Sequence, residues 1–142
     1  MEQGNGERNA PPSVLVIFGA SGDLTRRKLV PALESLAEAG RLPARSAVVG
    51  VGRTPMSDGE FRTKVLDGGG SVQPALTAGY RYLAGGYDDP DTYRRLSREM
   101  IGAERAVFVR LRDGRYIDDE MLRTLLRRLD LEEAAAYRET AT

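Results

Sequence analysis

The stretch Val14-Leu-Val-Ile-Phe-Gly-Ala-Ser-Gly-Asp-Leu-Thr25 constrains this chain more than any other segment. A short apolar run ends in a glycine turn, and the turn opens a helix. The run Val14 to Phe18 has no polar alternation, which suits a strand buried on both faces of a parallel sheet. Gly19 and Gly22 let the backbone turn sharply and approach a ligand closely. The helix that follows aims unpaired N–H groups, and the positive end of its dipole, at an anion. Strand, glycine turn and helix in this order form the local geometry of a nucleotide-phosphate site.

The remaining pattern extends this unit. A helix is predicted from about Leu24 to Ala39, closed by Gly40, with Leu29, Leu33 and Leu36 spaced to face the sheet. Pro31 inside it predicts a kink or a break, because proline lacks the N–H that the helix needs. Ser46 to Val51 reads as a second strand. Ser57-Asp-Gly-Glu60 is a capping box, so a short helix follows to about Leu66. Asp67-Gly-Gly-Gly70 then begins a loop. Tyr80 to Leu83 reads as a third strand, and Asp88-Asp89-Pro90 starts a helix through about Met100. Ala106 to Leu111 reads as a fourth strand, followed by a turn at Asp113-Gly114. From Asp118 to about Tyr137 the chain is helical, with Met121, Leu122, Leu125, Leu126 and Leu129 as its apolar stripe. Alternating strands and helices predict an α/β fold built on a parallel sheet.

Composition removes several classes of function. With 21 basic and 21 acidic residues the chain carries no net field toward nucleic acid or a membrane surface. It has no cysteine, so disulfides, thiolate metal sites and cysteine nucleophiles are absent. It has no histidine, the commonest general base near neutral pH. No apolar run reaches the ~18 residues of a membrane span. Met1 to Pro12 is polar and lacks the apolar centre of a signal peptide. The expectation is a tail on a cytoplasmic protein.

Three motifs, in order, carry a resemblance. Val16-Ile-Phe-Gly-Ala-Ser-Gly-Asp-Leu-Thr-Arg-Arg-Lys-Leu-Val-Pro-Ala-Leu33 resembles the N-terminal coenzyme motif of glucose-6-phosphate dehydrogenases. Val48-Val-Gly-Val-Gly-Arg53 resembles that family's second strand and arginine turn. Tyr80-Arg-Tyr-Leu-Ala-Gly-Gly-Tyr-Asp-Asp-Pro-Asp-Thr-Tyr-Arg-Arg-Leu96 resembles its later strand–loop–helix segment. The family oxidises glucose 6-phosphate to the lactone and reduces NADP, in the pentose phosphate pathway. The resemblance implies a Rossmann-like parallel sheet flanked by helices, incomplete relative to the full family. With the polar N-terminus, the expected organisation is three segments: a disordered tail over 1–12, an NADP-binding domain over 13–112 and a divergent helical tail over 113–142. By the same resemblance Gly19, Ala20, Ser21, Gly22, Asp23, Leu24 and Thr25 line the cofactor pyrophosphate, and Arg53 binds the 2′-phosphate. Lys28 and Thr54 are secondary candidates. The chain also departs from the family. The segment between Glu60 and Tyr80 is shorter, and Phe108-Val-Arg-Leu-Arg-Asp-Gly114 lacks the prolines usual there. Beyond Gly114 no family motif remains. The substrate domain and its catalytic histidine are missing, as in a fragment or a shortened relative.

Each site residue also has a plainer reading. Asp23 suits the helix start by its charge, without any catalytic role. Arg53 ends the second strand where NAD-type sites carry a carboxylate, and a guanidinium there pairs with a 2′-phosphate through a planar fork. The alternative is a solvated arginine, credible because only Lys28 and Lys64 among the basic residues are not arginine. Lys28 faces either a cleft or solvent. Asp88, Asp89 and Asp91 suit turn and helix-start chemistry around Pro90 better than a metal, so no metal is expected. Arg123, Arg127 and Arg128 are bracketed by acids and suit a solvated helix face.

Three functions follow. The chain is the coenzyme part of an NADP-dependent oxidoreductase, inactive alone and completed by a second chain or missing remainder. Or it is a non-catalytic NADP-sensing or regulatory module. Or it is an interaction protein with a relic core.

Overall fold

The computed structural model describes residues 13–43, 45–67 and 72–141; the N-terminal tail and the triple-glycine loop expected from sequence fall outside them. Strand β1 (Val14–Phe18), β2 (Ala47–Gly52) and β3 (Tyr80–Ala84) form a parallel sheet in the order β1-β2-β3. Val14 pairs with Ala47 and Phe18 with Val51; Val48 pairs with Tyr80 and Gly52 with Ala84. The central strand, β2, is buried along its whole length, as its unbroken apolar run requires. β1 lies at the edge of the sheet and is only half-buried.

Two layers cover the sheet. On one side lie α1, in which a π-helical turn over Thr25–Leu29 runs into an α-helix over Val30–Glu38, α2 (Asp58–Leu66) and the short α3 (Pro74–Thr77). Val30, Phe61, Val65 and Leu76 pack there with Val48, Tyr80 and Tyr82. On the other side α4 (Pro90–Asp113) brings Leu96, Ala103 and Val107 against Ala47, Val49, Val51 and Leu83. A last helix, α5 (Asp119–Ala141), packs on α4 and buries Leu122 and Leu129.

Local chemistry explains most boundaries. Ser57 accepts the Glu60 N–H while the Glu60 side chain accepts the Ser57 N–H, so the capping box forms as read. Asp89 caps α4 by accepting the Asp91 N–H, and Pro90 occupies the first helical position. Pro31 marks a break in hydrogen bonding: Val30 donates to the Thr25 carbonyl, closing a π turn immediately before the α-helix begins.

Three expectations are corrected. Ala106 to Leu111 is not a strand; it continues α4 to Asp113. Leu96, Met100, Ala103, Val107 and Leu111 form one helical stripe against the sheet, and burial of that stripe outweighs the β preference of Val107-Phe-Val109. Leu29 and Leu36 do not face the sheet and both are exposed, while Leu33 packs inward as expected, beside Val30 and Glu34. Val30, Leu33, Glu34 and Ala37 stand at i, i+3, i+4 and i+7 and make the inward face, which Leu29 and Leu36 flank. Met121 also leaves the predicted stripe of the last helix and is exposed.

Candidate functional site

The carboxyl ends of the three parallel strands meet at one edge of the sheet, the place where α/β folds hold ligands. Three segments leave it: the turn Gly19–Thr25 after β1, Arg53-Thr54 after β2, and Gly85-Gly-Tyr87 after β3.

The first turn is fixed from several directions. Gly19 adopts φ 74°, which a side chain would oppose. The Gly22 N–H returns to the Gly19 carbonyl at 2.9 Å, and the buried Thr25 hydroxyl donates to the same carbonyl at 3.2 Å. Ala20 is 1% exposed and donates its N–H to the Val51 carbonyl at 3.0 Å, so the turn is tied to the end of β2. The Lys64 ammonium, from α2, donates to the Ser21 carbonyl at 2.8 Å. A Cβ on Gly52 would lie 2.7 Å from Ser21 Oγ and 2.5 Å from Tyr82 Oη, so the bare backbone of β2 makes room for the turn. No side chain caps the start of α1. The first amides of a helix have no intrahelical partner and can serve as donors to an anion.

The other residues singled out from sequence divide. Asp23 is exposed and accepts from Arg26 at 2.6 Å and Arg27 at 2.9 Å. The Arg27 and Arg26 guanidinium groups hold its carboxyl below its ordinary pKa, so it is an ionised partner of the helix's own arginines. Leu24 is exposed beside it, and Lys28 is exposed on the π turn. Arg53 is exposed at the end of β2, its guanidinium 5.4 Å from the centre of the Tyr87 ring. Arg53 also lines a concavity of 450 Å³ with Gly86, Tyr87, Asp88 and Asp89. The Thr54 carbonyl accepts the Tyr82 hydroxyl at 2.6 Å. Burial raises the Tyr82 phenol above its ordinary pKa, so it stays protonated and a donor. The structure therefore gathers the glycine turn, Arg53 and Thr54 at one edge. Asp88 and Asp89 belong to the loop and helix start, and the described residues contain no cluster of three ligands suited to a metal.

Residues 16–112 match the family described as glucose-6-phosphate dehydrogenase, NAD binding domain. The chain belongs to that family. A glucose-6-phosphate 1-dehydrogenase 2 of Mycobacterium tuberculosis (strain H37Rv) is 35% identical over 112 residues, covering 69% of this chain and 21% of that protein. A glucose-6-phosphate 1-dehydrogenase of Chlamydia muridarum is 53% identical over 55 residues, 39% of this chain and 11% of that protein. Solved structures show the same fold. A glucose-6-phosphate dehydrogenase in complex with its substrate glucose-6-phosphate superposes with TM-score 0.59 at 22% identity, over 78% of this chain and 29% of that one. The enzyme from Mycobacterium avium gives TM-score 0.54 at 20% identity, over 85% and 34%. The chain spans about a fifth of the mycobacterial relative. It carries the part of the family that holds a nicotinamide dinucleotide. No helix among the described residues is long and apolar enough to cross a membrane.

Tyr82, Tyr87 and Lys64 have no assigned role in the sequence reading, yet they hold the turn. The signal for Tyr87 is its place three residues after the third strand, just beyond Gly85 and Gly86. Any residue there must emerge at the same edge as the glycine turn.

Proposed function

We propose that this chain is an NADP-binding domain of the glucose-6-phosphate dehydrogenase family, and that alone it binds the coenzyme without turnover. One observation carries the reading. The Arg53 guanidinium stands at the same sheet edge as the Gly19–Thr25 turn, with no carboxylate from the end of β2 beside it.

The residues present suit the group. Gly19 at φ 74° and the bare Gly52 backbone make a tight cradle, and the exposed Arg53 guanidinium stands at the same edge. Gly19, Ala20, Ser21, Gly22, Leu24 and Thr25 would receive the pyrophosphate, with Asp23 orienting the arginines of the first turn. Arg53 would pair with the 2′-phosphate, and Thr54 and Lys28 stand at the margin. The chemistry such a coenzyme supplies is hydride acceptance. The chain's own part is to bind and orient. Oxidation of a sugar hydroxyl also needs a base and a site that holds the sugar, and these 142 residues contain no imidazole. Both would come from further residues, in the same polypeptide or in a second chain.

The test is Arg53→Ala. Loss of a charge-assisted pair should weaken NADP binding by about 1.5–3 kcal/mol and leave NAD binding nearly unchanged. Equal loss for both dinucleotides would sink the 2′-phosphate assignment.

A further inference from the structure

We propose that Tyr87 sets the preference between phosphorylated and unphosphorylated dinucleotide by positioning Arg53. The proposal rests on the reading of Arg53 given above.

Arginine carries a long side chain whose freedom must be surrendered when it grips a phosphate. Arg53 is exposed, and its guanidinium lies against one aromatic face, that of Tyr87. Tyr87 is held by several contacts. Its hydroxyl accepts the Gly19 N–H at 2.6 Å and lies 3.4 Å from the Val51 carbonyl. Its ring meets Phe18 edge-on, with centres 6.0 Å apart and planes at 77°. Its own carbonyl accepts the Tyr93 hydroxyl from α4 at 2.7 Å. The side chain is thus held by the ends of β1 and β2, and its backbone by the first turn of α4. A guanidinium resting on a fixed ring is already partly ordered, so less freedom is lost on binding.

The two parts of this side chain have separable duties. The ring serves Arg53, which reads only the 2′-phosphate. The hydroxyl serves the Gly19 turn, which meets the pyrophosphate common to both dinucleotides. Substitutions can therefore divide selectivity from affinity.

The experiment titrates the full chain and its variants with NADP and with NAD, after circular dichroism confirms the fold. Tyr87→Phe keeps the ring and should weaken both dinucleotides by one factor, leaving their ratio unchanged. Tyr87→Leu should lower the NADP-to-NAD affinity ratio by roughly two- to fivefold, the range of an exposed cation–π contact. Tyr87→Met is the second non-aromatic variant should the leucine variant not fold, with the same expected fall. Placed on Arg53→Ala, the leucine substitution should leave the ratio where Arg53→Ala alone puts it. An unchanged ratio in the non-aromatic variants, or an equal fall in the Arg53→Ala background, overturns the proposal. If the unmutated chain shows no preference for NADP, the assignment of Arg53 itself fails, and the role of Tyr87 falls with it.

Discussion

The Tyr82 hydroxyl donates to the Thr54 carbonyl at 2.6 Å, so the third strand holds the turn on which Arg53 stands. Tyr82 is 8% exposed, and its ring packs 5.1 Å from that of Phe61. Replacing it by phenylalanine keeps the packing and removes one donor. Tyr82→Phe should cost about 0.5–1.5 kcal/mol of stability in a denaturant titration. It should also weaken NADP more than NAD, because the freed turn carries Arg53. A fall in stability with an unchanged NADP-to-NAD ratio would separate this bond from the site.

Gly50 sits in the middle of β2 beneath the glycine turn. A Cβ there would lie 2.7 Å from both Ala20 Cβ and Phe61 Cζ, and both residues are buried. Neither neighbour can retreat without moving the turn or α2. Gly50→Ala should therefore cost about 1–3 kcal/mol, the scale of core overpacking. Because Ala20 belongs to the turn, NADP and NAD should weaken together. Thermal unfolding and titration on the same preparation check both parts; a neutral effect on each would show that the packing has slack.

Glu34 is a buried carboxylate, 1% exposed, that accepts the Gln73 N–H and the Tyr80 hydroxyl. Burial first, then the hydrogen bond to Glu34 and last the Glu34 charge, push the Tyr80 phenol above its ordinary value of 10.0. A phenol held protonated in the fold stabilises fully below pH 10, and that stability is lost as the pH climbs further. Stability should then fall by about 1.4 kcal/mol per pH unit for this group. Tyr80→Phe should flatten that alkaline fall. At neutral pH it should cost about 1–3 kcal/mol, by depriving a buried carboxylate of a donor. Unfolding curves at pH 8, 10 and 11 test the sign; an alkaline slope identical in the variant would contradict it.

Much of this fold is written in short-range chemistry. The strand–turn–helix at Val14–Thr25 is legible because glycine spacing and an apolar run act locally. The capping box at Ser57 and Glu60 and the break at Pro31 are legible for the same reason. The fourth strand fails because Ala106 to Leu111 satisfies two periods at once, and only the longer stripe back to Leu96 decides for a helix. Leu29 and Leu36 fail because the inward face holds the charged Glu34, bonded to Gln73 and Tyr80 from later in the chain, which an apolar spacing does not count. The helix over Pro74–Thr77 is too short to show any period. At the site, the glycine turn and Arg53 could be named from their own neighbours. Tyr82, Tyr87 and Lys64 reach the turn from elements far along the chain, and their contacts exist only once the sheet has formed.

The most direct test of the account is calorimetric titration of the folded chain with NADP and then NAD at moderate salt. The account predicts saturable binding of NADP that is clearly tighter than that of NAD. No heat with either dinucleotide, from a protein shown by circular dichroism to be folded, would contradict it and leave the sheet edge without a coenzyme role.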